Sequence, residues 1–98
     1  MSASLQSAPD EIELKVYFDE DYHFISRTST KVTIHEYLKQ LEKEFYLLFN
    51  EPTTLCGLQT ITHTDIPQTQ PVHRMLLNGE SVYPLRSIVS TTPGKLLV

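Results

Sequence analysis

The sequence predicts an α+β fold, with one amphipathic helix packed on a mixed sheet of four to five strands. Three observations predict it. Glu11 to Phe18 alternates apolar and polar residues with a period of two. Thr33 to Phe49 repeats its apolar residues at three- and four-residue steps. Short strand-like runs then resume and continue to the end of the chain. A period of two marks a strand with one buried face, and a period near 3.6 marks a helix with one.

Met1 to Pro9 is small and polar and ends in proline, which predicts a flexible lead-in over residues 1–10 and one domain over 11–98. In the first strand Ile12, Leu14, Val16 and Phe18 share a face, and Glu11, Glu13, Lys15 and Tyr17 share the other. Asp19 to Tyr22 is a polar turn, and His23 to Ser29 reads as a second strand. So short a connection implies an antiparallel hairpin.

The helix opens on Thr33 and Glu36, the spacing of a capping box in which each side chain serves the other's backbone amide. Ile34, Tyr37, Leu38, Leu41, Phe45 and Leu48 line one face. Lys39, Gln40, Glu42, Lys43 and Glu44 fall elsewhere. The turn-forming Asn50, Glu51 and Pro52 stop the helix. Thr53 to Val72 predicts one strand near Leu58 to His63 and then a loop, because Pro67 and Pro71 exclude a strand interior around them.

"RMLLNGESVYPL" follows. Asn78-Gly79 between two apolar runs predicts a two-residue primed turn joining antiparallel strands. Leu85 and Ile88 are expected to face inward in a turn or short helical segment, and "KLLV" to close the sheet beside the first strand.

Composition narrows the function. The formal net charge is -4 and the eight Lys and Arg residues are scattered, which disfavours nucleic-acid and anionic-membrane partners. The single cysteine, Cys56, excludes an internal disulfide and any cysteine-rich zinc site, and suits a reducing compartment. With no apolar run long enough to span a bilayer and no secretory leader, the expected location is cytoplasmic or nuclear.

With the elements in this order, the chain resembles the β-grasp, ubiquitin-like superfold. "ELKVYFDEDYHFISRTSTKVTIHEYLKQLEKEF" resembles its opening hairpin and helix, "RMLLNGESVYPLRSI" its later strand, turn and strand, and "PGKLLV" its closing strand. Two departures stand out. The Thr53 to Val72 stretch is long, as if a loop or strand were inserted at 53–72. The chain also ends without the Gly-Gly tail of a covalent modifier. The resemblance implies a partner-docking point at the outward apolar residue of the 74–77 strand. By position that is Leu76, flanked by His73 and Arg74.

The expected function is therefore a non-catalytic protein–protein interaction module, an adaptor or a subunit of a larger assembly, docking through the 74–77 strand or a sheet edge. No cofactor or metal is expected, since the four histidines and Cys56 lack tight ligand spacing and the three glycines are isolated. Two alternatives are a small enzyme or a ligand- or metal-binding domain built from Cys56, His63, Asp65 and His73, and a thioredoxin-like domain lacking the redox cysteines. A homodimer covering "FYLLF" and "KLLV" is a further expectation.

Overall fold

The computed structural model describes residues 10–87. The elements are β1 (Glu11–Tyr17), β2 (His23–Ser29), α1 (Ile34–Phe49), β3 (Leu55–Thr60), α2 (Val72–Met75) and β4 (Ser81–Arg86). They form a four-stranded sheet in the order β2-β1-β4-β3. β1 runs antiparallel to β2 and parallel to β4, and β4 runs antiparallel to β3. This is the ubiquitin-like β-grasp arrangement, with α1 across one face. The opening hairpin and the sheet order leave no place for a thioredoxin-like strand-helix-strand start. The lead-in and the "KLLV" strand lie outside the described residues.

β1 buries Ile12, Leu14 and Val16 and exposes the residues between them, as its alternation requires. α1 starts with the expected capping box. The Thr33 hydroxyl accepts from the Glu36 amide, and the Glu36 carboxylate accepts from the Thr33 amide. It ends at Asn50, whose φ of 57° is the left-handed conformation that closes helices. Its buried face is Ile34, Tyr37, Leu38, Leu41 and Phe45, packed against the inward residues of the sheet. Leu48 is exposed, because Phe49 takes the inward place on the last turn, against Tyr22, Phe24 and Phe45.

Residues 53–72 hold one strand and a loop, but the strand is β3, three residues earlier than the spacing suggested. The segment is integral to the core through Leu55, Leu58, Ile66 and Val72. The loop is stitched to the start of α1: Ile34 donates to Gln70 O, Val72 to Val32 O and His73 to Thr30 O.

Asn78-Gly79 does not tip a hairpin. Residues His73 to Met75 belong to α2, and the run that follows the turn, β4, pairs parallel to β1. Only Gly79 takes a positive φ, 87°, and the Glu80 amide donates to Leu77 O across the turn, a type II pattern. Asn78 spends its side chain elsewhere. Its Oδ1 accepts from the Glu13 amide at 2.8 Å, while the Gly79 amide donates to Glu13 O at 2.7 Å. The turn thus grips β1 and sets the start of the parallel pair. Asn78→Ala removes one of these bonds and leaves the Glu13 amide to water. It should cost about 1 kcal/mol in urea unfolding, and Asn78→Asp, which keeps the acceptor, much less.

Between β2 and α1 the interior is polar. The buried Ser26 and Thr28 donate to Glu44 Oε1 and Gln40 Oε1, and Gln40 Nε2 donates to Glu44 and to Arg27 O. The Tyr37 hydroxyl beside them is buried without a hydrogen-bond partner. Burial holds its phenol well above the ordinary range. Removing an unpaired buried hydroxyl relieves a desolvation cost. Tyr37→Phe should therefore leave stability unchanged or raise it by about 1 kcal/mol, whereas Tyr37→Ala, which opens a cavity, should lose about 3–5 kcal/mol in the same measurement.

Candidate functional site: the open face of the sheet

With α1 covering one face of the sheet, the other face is open. Its surface follows from the period of two. β1 presents Glu13, Lys15 and Tyr17, β2 presents His23, Ile25 and Arg27, and β4 presents Tyr83 and Leu85. The register brings the rings together. Tyr17 lies opposite His23 in the β1–β2 ladder, and Tyr83 lies opposite Gln59 in the β3–β4 ladder. The Tyr17 and His23 rings stack at 6.0 Å, Tyr17 and Tyr83 meet edge to face at 5.6 Å, and His63 tilts onto Tyr83 at 5.7 Å. Such cross-strand ring contacts are the natural side-chain pairs of a twisted sheet.

The result is a band of four rings across the sheet, with Ile25 and Leu85 exposed beside it. A shallow concavity of about 290 Å³ opens between Lys15, Tyr17, His23, Ile25, Ser81 and Tyr83. Glu13 and Arg27 pair with each other at 3.0 Å on its flank. Lys15 has no carboxylate partner among the described residues and remains available at the rim.

The sheet edges are less open than the face. Along β3 the loop covers the outer side: the Ile66 amide donates to Leu58 O, Gln68 Nε2 to Cys56 O, and Gln59 bridges Asp65. Along β2, Gln40 reaches over to Arg27 O. Covering part of an edge in this way hinders strand addition.

The docking point expected at Leu76 is not on the surface. No strand spans 74–77; Leu76 follows α2 and is 3% exposed, within the core. The reason is the consecutive apolar run Met75, Leu76 and Leu77, of which the core takes Leu76 and leaves Leu77 75% exposed. His73 and Arg74 are exposed on α2, away from any outward apolar strand residue. Leu85 also faces outward rather than inward, because Ser81–Arg86 is a strand.

The four residues of the alternative site do not converge. Cys56 is exposed, and it shares the rim of one concavity with Asp65. His63, at φ 63°, turns toward Tyr83, and His73 sits on α2. Among the described residues no three His, Cys, Asp or Glu side chains are placed to hold a metal ion. The signal missed in the sequence was the pairing of Tyr17 with Tyr83, which depends on the parallel register.

No family model matches this chain, and no curated protein matches it in sequence. Solved structures do share its fold. The N-terminal ubiquitin-like domain in the 4931431F19Rik protein, determined in solution, is 19% identical with a TM-score of 0.58, and the match covers 96% of this chain and 97% of that one. A chain of the MycP5-free ESX-5 inner membrane complex in State II is 11% identical with a TM-score of 0.61. That match covers 92% of this chain but only 24% of the other. At such identities the likeness is one of fold.

The placement of Leu76 yields a direct test. Leu76→Ala should lower unfolding free energy by about 2–5 kcal/mol, as for a buried leucine. Leu77→Ala should change it by less than about 0.5 kcal/mol in the same denaturation series.

Proposed function

We propose that the chain is a non-catalytic protein-docking module, an adaptor or subunit of a larger assembly, that offers the open face of its sheet to a partner protein. One observation carries the reading: the ring band of His23, Tyr17, Tyr83 and His63, with Ile25 and Leu85 beside it, lies on a face that no described element covers. Aromatic groups grouped with aliphatic neighbours are the usual energetic centre of a protein interface. The face is favoured over an edge because both edges are partly closed by Gln40 and by the loop after β3. A ubiquitin-like fold is generally non-catalytic, and that one structural neighbour belongs to a multi-subunit complex supports a role in assembly.

The chemistry of the face also describes the partner. It should be an apolar surface or helix face carrying a carboxylate for Lys15, since Arg27 is already paired with Glu13. The exposed thiol of Cys56 suits a reducing compartment.

The test is an affinity capture with the native chain, followed by titration of the captured protein. Tyr17→Ala combined with Tyr83→Ala should weaken binding by at least roughly thirtyfold, about 2 kcal/mol, while cooperative unfolding is retained. Leu77→Asp, at an exposed residue that is not part of the ring band, should bind as the native chain does. Equal affinity of the double variant and the native chain would refute the assignment.

A further inference from the structure

The turn that grips β1 is also a chemically reactive pair. Asn78 and Gly79 stand in the order that favours spontaneous deamidation, because glycine puts no side chain beside the attacking nitrogen. Asparagine counts among the thermolabile residues for this reason. The chain has one other asparagine, Asn50, whose neighbour Glu51 crowds the same approach. In the reaction the Gly79 amide nitrogen attacks Asn78 Cγ. A C–N bond forms, the bond from Cγ to Nδ2 breaks, and the amide proton passes through solvent to the departing ammonia. The cyclic succinimide then takes up water and opens to aspartate or to isoaspartate. Water is the only co-reactant.

The fold holds both reacting groups away from this step. The Gly79 amide donates to Glu13 O at 2.7 Å, so the nucleophile keeps its proton and points at β1. The Asn78 side chain is turned onto β1 as well, its Oδ1 accepting from the Glu13 amide at 2.8 Å. The Glu80 amide closes the turn on Leu77 O at 3.1 Å. Glycine is needed for its φ of 87° rather than for room, since nothing lies within 4 Å of where its Cβ would be. Attack on Cγ therefore requires the turn to lift off β1. Asn78 and Gly79 are exposed, and local openings at such places occur well short of global unfolding.

We propose that Asn78 is a self-modification site that the β1–β4 join keeps closed, so that opening of the turn exposes the chain to an irreversible change. Isoaspartate carries the main chain through its β-carbon and so lengthens it by a carbon between Leu77 and Gly79. The bond from Glu80 to Leu77 and the two bonds to Glu13 fix that span from both sides, and the longer chain does not meet all three. Aspartate, in contrast, keeps both the backbone and the acceptor. Once isoaspartate forms, the chain loses the lock on its parallel register, and the extent of that loss records how often the join has opened.

Peptide mapping by mass spectrometry tests this on the full chain at mildly alkaline pH, folded or in urea, with aspartyl and isoaspartyl products separated. In urea Asn78 should deamidate at least about tenfold faster than Asn50, for want of a side chain at Gly79. Folding should slow Asn78 by at least about tenfold, since only the opened fraction reacts. The same opening frees the Gly79 amide, so its hydrogen-exchange protection should match that slowing within about threefold. Urea added below the unfolding transition should raise both rates together. The purified isoaspartyl chain should unfold at lower urea than the native chain and than Asn78→Asp. An unfolded Asn78 no faster than Asn50, a folded Asn78 as fast as the unfolded one, a slowing that does not follow Gly79 exchange, or an isoaspartyl chain as stable as the native one would each overturn the proposal.

Discussion

The parallel join between β1 and β4 is the constraint on which the structure depends. A parallel pair cannot be closed by a tight turn, so its partners must meet across most of the chain. Here the meeting point is Glu13, gripped by the Asn78 side chain across a separation of 65 residues and by the Gly79 amide. The Lys15 amide then donates to Glu80 O, and the ladder runs through Ser81 and Val82. Pro84 comes after the paired positions, where β1 no longer asks it for an amide hydrogen. Closing so long a loop is entropically costly but only weakly sensitive to length, so a few well-placed bonds at the join suffice to set the register.

That register decides which side chains become neighbours on both faces. Inward, it puts Val82 against Leu14, Val16 and the buried stripe of α1. Outward, it puts Tyr83 beside Tyr17, which no local pairing would have done. The polar seam of Ser26, Thr28, Gln40 and Glu44 works on the other side of β1. It fastens α1 to β2 by hydrogen bonds where the core is thin, and the same Gln40 closes part of the β2 edge. A fully bonded seam of this kind favours one placement of the helix over others, because any shift strands a buried polar group.

Much of the fold was legible in the sequence, for reasons that are local. The period-two run Ile12, Leu14, Val16 and the capping box at Thr33 and Glu36 each state their element within a few residues. The Asn78-Gly79 pair misled because the same residues serve two turns. A primed hairpin needs positive φ at both, whereas here Asn78 keeps negative φ and lends its side chain to a distant strand. From that one difference followed the misplaced docking strand, whereas Leu85 reads as inward because the residues from it onward resemble a turn rather than the end of the strand Ser81–Arg86. The candidate site was not legible at all, since its rings come from β1, β2, β4 and the turn after β3, and only the long-range register assembles them.

The end of β4 ties the open face to the end of α1. Tyr83 and Leu85 point to the open face, while Arg86, one residue on, turns the other way. Its guanidinium lies 4.7 Å from the Phe45 ring and 5.3 Å from both Phe18 and Tyr22. Those rings continue through Phe24 and Phe49 to the end of α1. Cation–π contacts of this kind are worth about 0.5–1 kcal/mol each at exposed sites, and three on one guanidinium restrict its motion more than any one would. They pin the last described residues of β4 to the helix end that carries Leu47 and Glu51. The open face therefore sits on a strand anchored at both ends, at Glu13 by the Asn78 turn and at Phe45 by Arg86. For the docking proposed at this face, a surface held this way is already ordered, so little of the binding energy would be lost to organising its rings.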